Sequence, residues 1–173
     1  MGILFALLGA AGMFAVTLGY VHPALGLLIG AAGVQLRLLC NLMDGLVAVE
    51  GKLKSKAGIL FNEAPDRLQD AILLVGAGFV CGHPQLGWGC AALALVTAYL
   101  RAFGASQGLG QDYSGPCAKQ HRMAILTGGL LIAAAFAFVG KSFPVMEIAL
   151  WAIVGLTSIT VARRTLRIYR QLP

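Results

Sequence analysis

Between residues 41 and 70 the chain sets amides and carboxylates into otherwise apolar segments: Asn41, Asp44, Glu50, Asn62, Glu63, Asp66 and Asp70. An ionisable group at a bilayer centre costs roughly 2.5–3.5 kcal/mol on insertion scales, so each needs a partner or a task. Arg37, Asn41, Asp44 and Ala48 advance by four, three and four residues and share one helix face. Gly58, Asn62, Asp66 and Asp70 advance by four and form a slowly drifting stripe on the next helix. Two such faces turned toward each other offer oxygen atoms from both helices. That is the preferred environment of a hard divalent cation such as magnesium, particularly where substrate phosphates complete the coordination. The small residues Gly45, Ala48 and Gly58 leave room beside those oxygens for a flat or bulky group. Pro65 removes a backbone hydrogen bond next to Asp66 and could kink the helix there. Metal-assisted phosphoryl chemistry is the expectation, and the competing reading is an interhelical hydrogen-bond network without a ligand.

The elements that hold these residues read as membrane spans. Of 173 residues, 58% are hydrophobic and 12% charged, where soluble domains carry about a quarter charged. A chain of this length cannot bury its apolar runs in a soluble core. Six segments approach the roughly 20 residues a spanning helix needs: Ile3–Tyr20, Pro23–Val47, Gly58–Val80, Gln85–Gly104, Met123–Val139 and Pro144–Ala162. The turns GYVHP, CGHPQ and GKSFP join alternate pairs into hairpins. The expected fold is therefore all-α, a six-helix transmembrane bundle over residues 1–173, whose first apolar run lacks a basic leader and reads as a span. GAAG at 9–12 and again at 30–33 suits close helix packing.

The net charge of +6 does not indicate nucleic acid, because the basic residues sit at span ends and form no stripe with interleaved aromatics. Lys52, Lys54, Lys56, Arg101, Lys119, Arg122, Arg163, Arg164, Arg167 and Arg170 fall on one side and only Lys141 on the other. Both termini and the polar stretch are accordingly expected on the cytoplasmic side. The basic end ARRTLRIYRQLP reads as an anchor to anionic lipid headgroups. Arg101, Lys119 and Arg122 are candidates for holding an anionic acceptor or headgroup, with charge-directed topology as the plain alternative. Arg37 lies too deep for topology and is expected to pair with Asp44. Cys40, Cys81, Cys90 and Cys117 form no CxxC pair and read as buried thiols, with a Cys81–Cys90 disulfide as the lesser alternative.

The spacing resembles the CDP-alcohol phosphotransferases, whose signature is D-x2-D-G-x2-A-R-x8 or 9-G-x3-D-x3-D. Here the string reads Asn41-x2-Asp44-Gly45-x2-Ala48-Val49, eight residues, then Gly58-x3-Asn62-x3-Asp66, with every interval kept. The first and third aspartates are asparagines, and the motif arginine is Val49. Asn62-Glu63-Ala64-Pro65-Asp66 and the later Gly115-Pro116-Cys117-Ala118-Lys119-Gln120-His121-Arg122 look like a divergent branch of that family.

The resemblance implies an enzyme of phospholipid biosynthesis that moves a substituted phosphate from a CDP-alcohol to an acceptor alcohol and releases CMP. The expected donor is CDP-diacylglycerol, and the acceptor is unidentified. It implies a divalent metal, magnesium or manganese as one or two ions, on Asn41, Asp44, Asn62 and Asp66, with Asp66 also the base toward the acceptor. Gly45, Ala48, Gly58, Arg37, Glu63, Asp70, Arg101, Lys119 and Arg122 would line the nucleotide and substrate region. Glu63 or Asp70 would return part of the charge lost at the asparagines. A homodimer in a bacterial inner membrane, in contact with membrane lipids, is also implied. The rival readings are a CDP-lipid or anionic-lipid binding module without catalysis, and a transporter, which the absence of an evident inverted repeat disfavours.

Overall fold

Ala, Leu, Ile and Gly bring no polar side chain to satisfy a peptide group, so long runs of them in an apolar medium close their hydrogen bonds within the segment, as helix. The computed structural model describes the backbone of residues 1–50 and 56–172 and the side chains of residues 1–46 and 63–172. It contains six helices: α1 (Gly2–Thr17), α2 (Pro23–Glu50), α3 (Lys56–Val80), α4 (Pro84–Ser106), α5 (Lys119–Phe138) and α6 (Val145–Gln171). Among the described residues there is no strand. Glycines in the left-handed region, Gly82 at φ 75° and Gly140 at φ 66°, end the turns that follow α3 and α5. Pro84 opens α4 from its first turn, where a missing N–H costs nothing.

The helices outrun the apolar segments from which they were expected. α2 continues past Val47, α5 starts at Lys119 instead of Met123, and α6 continues from Ala162 to Gln171. Lys, Arg and Gln are good helix formers whose stems reach toward a wet boundary, so helix persists where hydropathy has ended. α3 remains helical through Pro65.

Among the described residues, four helices are long and apolar enough to cross a membrane: α2 over Pro23–Leu46, α4, α5 and α6. α1 is apolar but has 16 residues. α3 is long enough at 25 residues, yet Glu63, Asp66, Arg67 and Asp70 lower its hydropathy. Asp66 and Asp70 are turned into the protein while the Glu63 side chain stays 43% exposed, so the polar face of α3 runs from the surface into the ring. The chain is an integral membrane protein.

Packing arranges the helices as a ring in the order α1, α2, α5, α6, α4, α3, closing again on α1. α2 and α3 are consecutive in sequence but lie across the ring, with α1 between them on the rim. The ring is filled by Met13, Val34, Leu73, Leu74, Met123, Leu126, Leu130, Leu150 and Ile153, all fully buried. The two GAAG stretches meet between α1 and α2, where a Cβ on Gly33 would stand 2.5 Å from the Gly9 Cα. The four cysteines are free thiols: Cys90 and Cys117 are buried, and Cys40 and Cys81 half-buried. The Cys81–Cys90 alternative is therefore not realised.

Gly33→Ala should lower the unfolding midpoint in detergent at a cost of about 1–3 kcal/mol, because backbone lies opposite and cannot yield. Gly128→Ala, where an added Cβ meets nothing within 4 Å, should leave the midpoint unchanged or raise it.

Candidate active site

At one end the ring interior is polar, and α3 supplies its acids. Glu63, Asp66 and Asp70 follow one another at helical spacing and descend from the mouth into the protein, with side chains 43%, 13% and 2% exposed. A cation from a different helix meets each. Glu63 Oε2 accepts from Arg101 Nη2 of α4 at 2.5 Å and from its neighbour Arg67 Nη2 at 2.6 Å. Asp66 accepts from Lys119 Nζ of α5 through Oδ2 and from the Asn41 amide of α2 through Oδ1. Asp70 accepts from Arg37 Nη1 of α2, and its second oxygen faces Arg122 Nη2 of α5 at 3.9 Å. Lys119, Arg37 and Asn41 thus reach across the ring to helices that are not their rim neighbours.

Arg37 pairs with Asp70, which corrects the expected Arg37–Asp44 pair. The reason is depth: Arg37 is fully buried, whereas Asp44, two turns further along α2, is exposed. Arg37, Asp70 and Arg122 are all enclosed and have no surface to offer a ligand in this arrangement. Asn41, Glu63, Asp66, Arg101 and Lys119 meet at the mouth through the contacts above, whereas Asp44 is exposed further along α2. A Cβ on Gly45 would meet nothing within 4 Å, so its face is open. The side chains of Ala48, Gly58 and Asn62 lie outside the described residues.

Several residues of this region were not singled out by sequence. Arg164 is buried, donates to Thr97 O at 2.9 Å and to Ser114 O at 3.0 Å, and ties the α4–α5 loop to α6. Its signal was present in the buried series Thr157, Thr160, Arg164 and Ile168 at helical spacing, masked by the basic run around it. Thr160 Oγ1 accepts from Cys117 N at 3.0 Å, and Arg167 donates to Asp112 and Ser114. Burial pushes the Asp112 carboxyl up, but hydrogen bonds from Ser114 and the charges of Arg167 and Arg164 outweigh it and hold the group below the usual carboxylate range. Tyr113 lies under the Arg101 guanidinium, 5.0 Å from ring centre to carbon, and holds it at the mouth. Arg163, Arg167 and Arg170 line a pocket of about 550 Å³ with Ser114 and Gly115. A pocket of about 580 Å³ with mixed lining, including Val16, Leu27, Phe136, Lys141 and Glu147, opens at the opposite end of the bundle.

No family model and no curated protein sequence matches the chain. Solved structures do. The structure of Mycobacterium tuberculosis phosphatidylinositol phosphate synthase with CDP-DAG bound superposes with a TM-score of 0.76 at 22% identity, covering 97% of this chain and 84% of that one. The same synthase in complex with manganese and citrate gives 0.75 at 22% identity, covering 97% and 80%. The chain has the CDP-alcohol phosphotransferase fold.

The metal donors expected from the sequence are the carboxylates of Asp44 and Asp66 and the amide groups of Asn41 and Asn62; the Asn62 side chain lies outside the described residues, and both Asp66 oxygens are engaged by Asn41 and Lys119. The donor oxygens are hard ligands suited to magnesium or manganese, but with two carboxylates the set balances a single divalent charge. Among the described residues no group of three or more His, Cys, Asp or Glu side chains converges in metal-holding geometry.

Asp70→Asn should cost about 3–5 kcal/mol of stability, because it leaves Arg37 and Arg122 buried without a counter-charge. Unfolding in detergent would show this. Asp44→Asn, at an exposed position, should leave stability unchanged.

Proposed function

We propose that the protein is a CDP-alcohol phosphotransferase that moves the phosphatidyl group of CDP-diacylglycerol to an acceptor alcohol. The observation that carries the reading is Asp66: the last acid of the signature spacing stands where α2, α3 and α5 meet, in a fold shared over 97% of the chain with a synthase that binds CDP-DAG. In this reading the polar end faces the cytoplasm across a bacterial inner membrane, where soluble nucleotides are found.

The Asp66 carboxylate takes the proton of the acceptor hydroxyl. The hydroxyl oxygen then bonds to the lipid-side phosphorus, the bond from that phosphorus to the bridging oxygen breaks, and CMP departs with that oxygen. Asp66 returns the proton to solvent. Arg101, held over Tyr113 and beside Glu63, and Lys119 supply positive charge at the mouth for the diphosphate. Asp44, Asp66 and the amide oxygens of Asn41 and Asn62 would hold a divalent ion, which would supply charge neutralisation for phosphate oxygens. Pro65, inside α3 next to Asp66, leaves one carbonyl of the preceding turn without its helical partner.

The test is CMP release by the full chain in detergent, supplied with CDP-diacylglycerol, a panel of alcohols, and magnesium, manganese or chelator. Metal-dependent CMP with a new lipid is the expected result. Asp66→Asn should lower turnover by at least about 10²-fold while the protein elutes as the wild type does. Binding of CDP-lipid with no CMP under any condition would instead establish the binding module. Asn41→Asp and Asn62→Asp should each shift the metal titration to lower concentration, since each restores a negative ligand.

A further inference from the structure

The reactive carboxylate has no vacant oxygen. Asp66 Oδ1 takes the Asn41 amide and Oδ2 takes the Lys119 ammonium. Each of the other α3 acids has its own cations, Glu63 with Arg67 and Arg101, and Asp70 with Arg37 and Arg122. Positive charge exceeds negative charge in the cluster, so a divalent cation approaching Asp66 meets a site already neutralised. Lys119 is also the first residue of α5, and its side chain is 23% exposed at the mouth, on a four-carbon stem free to swing.

We propose that Lys119 is the resident counter-ion of Asp66 and competes with the divalent metal for it, so that metal enters as the ammonium transfers to a phosphate of the nucleotide substrate. The nucleotide half rests on the function proposed above; the competition at Asp66 does not. With amides at Asn41 and Asn62 the site offers a cation less negative charge than carboxylates at those positions would. Lys119 also has somewhere to go. An ammonium is a compact point charge with three donors, suited to a phosphate oxygen as well as to a carboxylate. When phosphate takes Lys119, Asp66 Oδ2 is exposed to metal, and rotation of the Asn41 amide turns its oxygen to the same ion. Metal and nucleotide then favour each other's binding, and linkage requires the effect to be reciprocal.

The experiment is manganese binding to the full chain in detergent, read from the loss of the free-ion electron paramagnetic resonance signal, with and without CMP. Wild type should bind manganese weakly alone and more tightly with CMP. Lys119→Gln should bind manganese roughly tenfold or more tightly without CMP, because a unit charge beside the ligand is gone, and should gain little more when CMP is added. Lys119→Met, which keeps the apolar stem, should behave as Lys119→Gln does and serves if that variant fails to fold. Lys119→Arg keeps the charge and should resemble wild type. Equal manganese affinity in wild type and both neutral variants would overturn the competition. Tighter manganese in the neutral variants with no CMP effect in any protein would uphold the competition, remove the phosphate transfer and count against the nucleotide-dependent function.

Discussion

A carboxylate enclosed between two enclosed guanidiniums governs this bundle: Asp70 on α3, between Arg37 of α2 and Arg122 of α5. Removing three charges from water costs several kcal/mol each, and their attraction recovers that only in good geometry. The layer therefore adds little net stability, but it restricts the ways in which the helices can assemble. α3 is not a rim neighbour of α2 or α5, so apolar packing around the ring leaves their relative heights weakly determined. A helix slid by one turn would place Asp70 in the apolar core or bury Arg37 without a partner. Such slips are costly, and the charged layer sets the register.

The register has a direct consequence at the mouth. Asp66 lies one turn before Asp70 on α3, Lys119 nearly one turn before Arg122 on α5, and Asn41 one turn after Arg37 on α2. Once Asp70 has met its arginines, Asp66 must meet Lys119 and Asn41 one layer up, as it does. Depth separates their work. The lower layer is sealed and structural, while the upper layer, with Glu63 and Arg101 above it, opens to ligands.

Much of this was legible in the sequence because it is periodic. Hydropathy marked the helices, glycine and proline marked the turns, and steps of three and four put the polar residues on single faces of α2 and α3. The position of Asp66 followed from those steps. What the periodicity does not carry is height across the ring. Asp44 and Asp70 both lie on faces that include or confront Arg37, and only the relative translation of α2 and α3 decides between them. That translation is fixed by contacts far apart in the sequence, such as Arg37 with Asp70, which the period of a single helix does not contain. Arg164 was obscured for another reason. In ARRTLRIYR the buried arginine differs from its exposed neighbours only in phase, and a basic span end conceals phase.

The asparagines bear on how negative charge is distributed here. With amides at Asn41 and Asn62 and acids at Glu63, Asp66 and Asp70, the polar end holds its carboxylates at different depths. Asp70 is committed to the lock, and Glu63 to Arg67 and Arg101. Both therefore already have cation partners of their own. The cations that remain, Lys119 and Arg101 above all, are covalently part of the protein and stay at the site whatever the metal concentration. Because α4 and α5 fix where those side chains stand, the positive charge at the mouth is a property of helix packing.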